Sequence, residues 1–330
     1  LYVAYTEALS LVPDGIAKSN GQAVGLAAAT ALIQSRSGDG RLTPIGVTSS
    51  FPTHTPGPGV WRRTPAAYAA PQTPWVGDVR PFILESAAQF LPGSPPPLSS
   101  STWVHAFNDI QLYGSASSSV RTAAQTAVAK FWTANVIRQY NRLVRDLVDA
   151  RHINLLQSAR LAAMVNVIGA DAQISVMHAK YHYLFWRPVT AIDPASVAPG
   201  GDGFGPVPGF DDLNAATAEL LGWRPLVATP NHPEYPAAHG SLTSAMAEVL
   251  SNFLDTDWIN VDVHGFDATG AVGNLDVVSH FAKAADLRRQ IIDARFWAGL
   301  HYRFSSEAGV ILGREVADYD LRHAFREVDD

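Results

Sequence analysis

Five side chains able to bind or protonate an anion fall into three short segments. Lys180 and Arg187 sit in KYHYLFWRP, His239 closes the turn HPEYPAAHG, and Arg295 and His301 sit in DARFWAGLHYRF. Seven residues separate Lys180 from Arg187, close to two turns, so a continuous helix projects both from one face. Their neighbours are aromatic, and cations turned inward among aromatics are costly unless an anion meets them. Salt bridges, or stems that carry the charge to the surface, would answer the same cost. Arg295 precedes Phe296 and Trp297 and also reads as buried, where a neighbour such as Asp293 would pair with it for structural reasons alone. His239 follows a rigid turn at the mouth of a helix. There it acts either as a capping residue or as a catalyst held over free backbone N–H groups.

Long elements are needed to bring these segments together. Residues 2–36 read as helical, with Asp14 starting a second segment and Ala-rich packing after Gly21. Residues 37–99 are rich in Pro and Gly and lack periodicity, so an extended wrapping segment is expected, pinned by Trp61, Tyr68, Trp75, Phe82 and Phe90. From about residue 101 the pattern is helical. One helix opens at a Ser/Thr run and closes at Gly114, and a long amphipathic helix spans 118–151. The stretch 154–186 is apolar around most of its circumference, as a central buried helix would be, and Arg187-Pro188 stops it. A glycine-rich loop follows at 199–210, then a helix over about 239–254. WINVDVHG reads as a short strand or hairpin arm, and 276–300 and 304–327 read as helices parted near Gly299. The expected fold is all-α: a single domain over 1–330, a helical bundle with long Pro/Gly-rich surface loops.

Composition narrows the function. The 330 residues are 47% hydrophobic, enough for a substantial core. A net charge of -6 with only 24 Lys and Arg argues against a nucleic-acid partner. There are no cysteines, hence no disulfide framework and no thiolate metal site, and only three methionines. That scarcity is either compositional drift or a mark of life beside strong oxidants, although eight Trp and ten Tyr are oxidisable too. No apolar run is long enough for a membrane span. The chain opens at Leu1 rather than Met, so a leader already removed and a secreted or periplasmic location are expected. His178 and His182, spaced i, i+4, suggest a zinc pair, but no third ligand accompanies them and they read as structural.

Taken in order, K-x6-R-P, P-A-A-H and R-x5-H resemble the signature of the type 2 phosphatidic acid phosphatase and vanadium-dependent haloperoxidase superfamily. There the pattern runs K-x6-R-P, P-S-G-H and S-R-x5-H-x3-D. RTAAQTAVAKFW, FWRPVTAI, HPEYPAAHG and ARFWAGLHYRF look like its bacterial haloperoxidase-related branch, from about residue 101 onward. The resemblance implies a helical bundle of the haloperoxidase and acid phosphatase type, with an oxyanion site built from 180–187, 232–240 and 295–305. Lys180, Arg187 and Arg295 would neutralise the oxyanion, helped by the backbone of Ala237, Ala238, His239 and Gly240 at a helix N-terminus. His301 would be nucleophile or metal ligand, His239 the acid–base residue, and Lys180 the group that polarises peroxide. The implied cofactor is vanadate, in a site that phosphate or sulfate also fits. Hydrogen peroxide, a halide and a small organic acceptor would be the partners, and a homo-oligomer is possible. His232, seven residues before His239, corresponds to a second active-site histidine of bromoperoxidases and leans the reading toward bromide or iodide. A turn histidine bonded to backbone reads equally well there.

Two positions depart from the pattern. Ala237 stands where a serine hydroxyl would donate to the oxyanion, a loss on the order of 1–3 kcal/mol of anion binding. Ala238 replaces glycine, which is tolerable if φ stays negative. Ser305 replaces the aspartate that orients and charges a nucleophilic histidine. The leading expectation is a haloperoxidase oxidising halide with peroxide. An acid phosphatase on the same fold, with His301 as nucleophile, is the alternative that Ser305 weakens more. A non-catalytic oxyanion-binding protein is the third.

Overall fold

The computed structural model describes residues 2–196, 211–266 and 275–326. The glycine-rich loop 199–210 lies outside the described residues, as does residue 327 of the last expected helix. The chain, read above as a single domain, is organised as two compact units, Leu1–Leu42 and Thr43–Asp330.

The first unit holds α1 (Tyr2–Ser10) and α2 (Ile16–Ser35), parted at Gly15, which precedes α2. Asp14 marks the second start as expected and pairs with Lys18 at 2.8 Å. The Ala-rich packing expected after Gly21 is not formed, for neither helix buries a residue. The apolar side chains of α2, among them Ile16, Val24, Leu26 and Ile33, are exposed and make no stripe that one neighbour could cover. After α2, Asp39 is buried between Arg36 at 2.6 Å and Arg41 at 3.0 Å.

The second unit contains α3 (Ser101–Tyr113), α4 (Ala123–Phe131), α5 (Val136–Ala150), α6 (Leu155–Tyr183), the short α7 (Pro188–Ile192), α8 (Ala238–Leu254), α9 (Ala284–Trp297) and α10 (Arg303–His323). An antiparallel hairpin, β1 (Val261–Gly265) with β2 (Val277–Phe281), pairs Val261 with Phe281 and Gly265 with Val277. The fold is mostly helical. WINVDVHG supplies the expected strand, but 276–283 is not the start of a helix. VVSHF is β-branched and aromatic, and it pairs with β1.

The helix expected over 118–151 is two helices. Thr122 and Gln125 close a capping box on α4, which stops at Phe131. Asn135 then caps α5, accepting from the N–H groups of Ile137 (3.1 Å) and Arg138 (3.2 Å). The hydrophobic period runs through the break because both pieces face the same core, so only the caps betray it. The helix over 154–186 also ends sooner than Pro188 requires. Leu184 turns left-handed at φ 50, its N–H bonded to the Lys180 carbonyl at 2.9 Å.

Helix α6 is the central element, packed on α8 and α10. The approach of α10 to α8 depends on glycine: a Cβ on Gly309 or Gly313 would strike the carbonyls of Ala237 and Ser241. Residues 43–99 carry little regular structure beyond a 3-10 turn at Pro74–Asp78. Asp171 of α6 anchors them by accepting the N–H groups of Phe82 (2.7 Å), Ile83 (2.8 Å) and Leu84 (3.2 Å). Gly59 and Trp61 pair with Trp186 and Leu184 on either side of a Val60–Phe185 bridge. Of the five aromatic pins, Trp61 is buried, Tyr68, Trp75 and Phe90 are half-buried, and Phe82 is exposed, held by its backbone instead.

Asp320 of α10 is buried, and neither carboxylate oxygen has a hydrogen-bond partner among the described residues. Burial, and after it the charge of Asp171, push its pKa from 3.8 to about 8. The folded protein therefore holds this proton more tightly than the unfolded chain. Its contribution to stability is greatest below the unfolded value and is lost as pH rises toward 8. Asp320→Asn is expected to raise the melting temperature near pH 8, with the gain vanishing as pH falls to about 4. A pH-independent difference would contradict this account.

Candidate active site

The α4–α5 break and the turn between α9 and α10 fall where a site residue needs a carbonyl. Lys180 lies in the last turn of α6, fully buried, and donates to the carbonyls of Pro233 and Glu234, both at 2.9 Å. Arg187 does not share its helical face. It lies past the Leu184 turn as the extended residue before α7, and that turn brings the two cations to one place. Its Nε donates to the His232 carbonyl at 3.0 Å and its Nη1 to the Leu300 carbonyl at 2.9 Å. Two imidazoles complete its shell: His301 Nε2 at 3.1 Å from Nη1, and His232 Nδ1 at 3.0 Å from Nη2. A guanidinium can only donate, so both ring nitrogens accept. His232 Nδ1 therefore carries no proton for the Pro233 carbonyl 3.2 Å away. This histidine bonds the site's arginine rather than the backbone alone.

Arg295 lies in the last turn of α9 and donates to the Trp132 carbonyl at 3.1 Å, while its buried Nε has no partner among the described residues. Asp293 is not its partner; that carboxylate pairs with Arg303 at 2.8 Å. The α4–α5 break thus exposes the carbonyl that holds Arg295. It also exposes that of Ala134, which accepts from the ring of His239. His239 Nε2 is left buried and without a partner among the described residues.

Helix α8 begins at Ala238 with Ala237 as its cap residue, and no side chain caps it. Its first N–H groups are therefore open to an anion beside His239 and Gly240. Ala237 N–H bonds the Ser305 carbonyl at 3.0 Å, tying this turn to α10. Ala238 lies within the helix and is not among the positive-φ residues, so glycine is not required there. His178 and His182 stack with ring centroids 6.4 Å apart.

Glu234 is the residue that motif spacing did not single out. It is fully buried and accepts from His301 Nδ1 at 2.9 Å and from Tyr302 N–H at 3.0 Å. The available signal was a carboxylate between prolines in the otherwise apolar HPEYP. Burial pushes its pKa up to about 7, opposed by Arg187 and then Lys180. Burial likewise holds His239, His301 and His232 well below the usual histidine range; for His239 the charge of Arg295 adds to it. All three are neutral imidazoles near neutral pH. Burial lowers Arg187 to about 10 and Arg295 to about 9, and both remain guanidinium ions. Lys180 falls well below its ordinary value through burial and then Arg187, with Glu234 opposing.

Three buried cations thus face one carboxylate, with the unpartnered His239 Nε2 and Arg295 Nε among them. Such a site is short of negative charge, and a tetrahedral oxyanion such as vanadate or phosphate fits that deficit.

Fold and site together define a helical bundle built around a cluster of buried cationic and imidazole side chains. A family model described as the VCPO second helical-bundle domain matches residues 160–330, and the chain belongs to that family. It is 24% identical over 238 residues to the vanadium chloroperoxidase of Curvularia inaequalis, across 58% of this chain and 38% of that protein. The chain thus spans well under two thirds of that relative. A bacterial vanadium-dependent iodoperoxidase superposes with TM-score 0.62 at 21% identity, over 81% of this chain and 61% of that one. A holo-type bacterial vanadium-dependent chloroperoxidase does so with TM-score 0.62 at 17% identity, over 90% and 71%. At these identities the likeness is one of fold.

Gly299 sets the turn that presents Leu300 and His301. Its φ of 75 suits glycine, and an added Cβ would strike the Gly114 carbonyl and come within 2.9 Å of Pro225. Gly299→Ala should destabilise the protein by roughly 2 kcal/mol or more in urea unfolding. An effect below about 0.5 kcal/mol would mean that the turn relaxes freely.

Proposed function

We propose that this protein is a vanadate-dependent haloperoxidase-type enzyme that oxidises a halide, bromide or iodide in preference, with hydrogen peroxide. The observation that carries the reading is the buried excess of positive charge around His239 and His301. Lys180, Arg187 and Arg295 would hold the oxygens of vanadate, aided by the open N–H groups at the start of α8, and His301 Nε2 would be its protein ligand. When bound, vanadate supplies an electrophilic centre that activates peroxide toward halide.

This chain's own groups do the rest. In its ammonium form Lys180 has three N–H donors and spends two on the carbonyls of Pro233 and Glu234, so one remains to polarise an oxygen of the bound anion or of peroxide. His239 is neutral, with its other ring nitrogen bonded to Ala134, so its Nε2 can take a proton from peroxide and return it. Burial keeps water away and strengthens each charge interaction. His232, bonded to Arg187, supports the bromide or iodide preference, as does the iodoperoxidase among the structural relatives. The oxidised halogen then passes to a small organic acceptor.

An acid phosphatase is the second reading, and one observation favours it. The carboxylate missing at Ser305 is present as Glu234, beside the His301 ring that would be the nucleophile.

Protein loaded with orthovanadate is expected to brominate or iodinate a phenolic probe when given peroxide and halide. His239→Ala should slow this at least about 100-fold. Hydrolysis of an aryl phosphate, inhibited by vanadate and without halogenation, would establish the phosphatase instead. Anion binding with neither activity would sink both.

A further inference from the structure

We propose that Glu234 is a positioning residue that sets the tautomer of His301 and thereby keeps Nε2 unprotonated, so that its lone pair, which here accepts from Arg187, is free for the oxyanion once that contact gives way. This rests on the reading of His301 as the residue that holds the anion. The ring is clamped between two groups of opposite hydrogen-bonding character. Glu234 Oε1, an acceptor, lies 2.9 Å from Nδ1, and Arg187 Nη1, which can only donate, lies 3.1 Å from Nε2. A neutral imidazole satisfies both only with its proton on Nδ1. The other tautomer sets N–H against N–H at Arg187 and a lone pair against the carboxylate. Second groups that orient a ligating histidine commonly work this way, by fixing its tautomer and raising the basicity of the ligating nitrogen.

The clamp is itself held firmly. Lys180 grips the carbonyls on either side of the Pro233–Glu234 bond, and Glu234 N–H bonds the Phe185 carbonyl at 2.8 Å. The same carboxylate oxygen also takes the Tyr302 N–H at 3.0 Å, so it cannot turn away without orphaning a buried donor. Ser305 does not orient the ring. Its hydroxyl approaches the Glu234 carbonyl at 3.4 Å and its own carbonyl takes Ala237 N–H at 3.0 Å, so it steadies the turn that carries Glu234. The orienting group therefore comes from the segment before α8, and the pair adds a side-chain link between two motif segments that a carboxylate at position 305 would not make.

The tautomer can be read without the cofactor, by long-range proton–nitrogen correlation spectra of histidine-labelled protein at about pH 8. The His301 signals are assigned by their loss in His301→Gln. The wild type is expected to show Nδ1 protonated and Nε2 bare. Glu234→Leu should lose that preference, with the proton moving to Nε2 or averaging between the two. Glu234→Gln keeps an acceptor and should keep the tautomer. Without the charge, however, it should bind orthovanadate about 10–100-fold more weakly, as followed by vanadium NMR. If the Leu variant does not fold, the wild-type spectrum and the Gln titration decide the matter. A wild-type His301 protonated on Nε2, a Leu variant with the wild-type tautomer, or a Gln variant within about twofold of wild-type affinity overturns the proposal. A wild type that shows the expected tautomer yet binds no vanadate overturns the cofactor reading and leaves the positioning role standing.

Discussion

The structure depends on three positive charges taken out of water and set close together. Lys180 and Arg187 are fully buried and Arg295 nearly so, and Glu234 is the carboxylate among them. Removing ions from water costs several kcal/mol each unless the protein replaces the lost hydration. Here the replacement is backbone carbonyls: Pro233 and Glu234 for Lys180, His232 and Leu300 for Arg187, Trp132 for Arg295. Carbonyls inside a helix are already bonded, so the chain must leave helical geometry wherever one is required. The α4–α5 break and the Gly299 turn answer that requirement, and the left-handed Leu184 brings Arg187 beside Lys180. What the carbonyls cannot answer is net charge, and the remaining deficit is the observation on which the proposed anion site rests.

Close packing keeps that charge imbalance dry. Gly309 and Gly313 let α10 lie directly on the start of α8, which fixes the position of the open N–H groups beside His239. From the other side residues 43–99 are stitched to α6 and its extension by Asp171, by the bridge at Val60 and Phe185, and by the Tyr181 hydroxyl on the Gln72 carbonyl at 2.6 Å. A segment with little regular structure can serve this purpose because its backbone groups find partners on the helices rather than within itself. The same exclusion of water keeps the histidines neutral, as a lone pair on a ligating or proton-accepting nitrogen requires.

Much of the fold was legible in periodicity. The helices around Lys180, after His239 and on both sides of Gly299 stand close to where the hydrophobic pattern puts them, and the strand in WINVDVHG is real. The misreadings have three causes. At 118–151 and at 184–187 the apolar pattern continues across a break, because the pieces on both sides face one core. At 276–283 a short apolar run is ambiguous between strand and helix until its partner strand is known. In α2 the composition promised packing that needs a contiguous stripe, and none is present.

The candidate site divides in the same way. The types and order of Lys180, Arg187, His239, Arg295 and His301 were determined by the sequence alone, since charge and proton chemistry belong to the side chain wherever it lies. So were the missing hydroxyl at Ala237 and the missing carboxylate at position 305. Only the tertiary structure decided which atoms meet. It showed that Lys180 and Arg187 converge around a turn, that the α4–α5 break feeds Arg295 and His239, and that Glu234 stands on the His301 ring. The reason is physical: a buried polar group is defined by its partner, and these partners are chiefly carbonyls and residues remote in the chain, which no local spacing records.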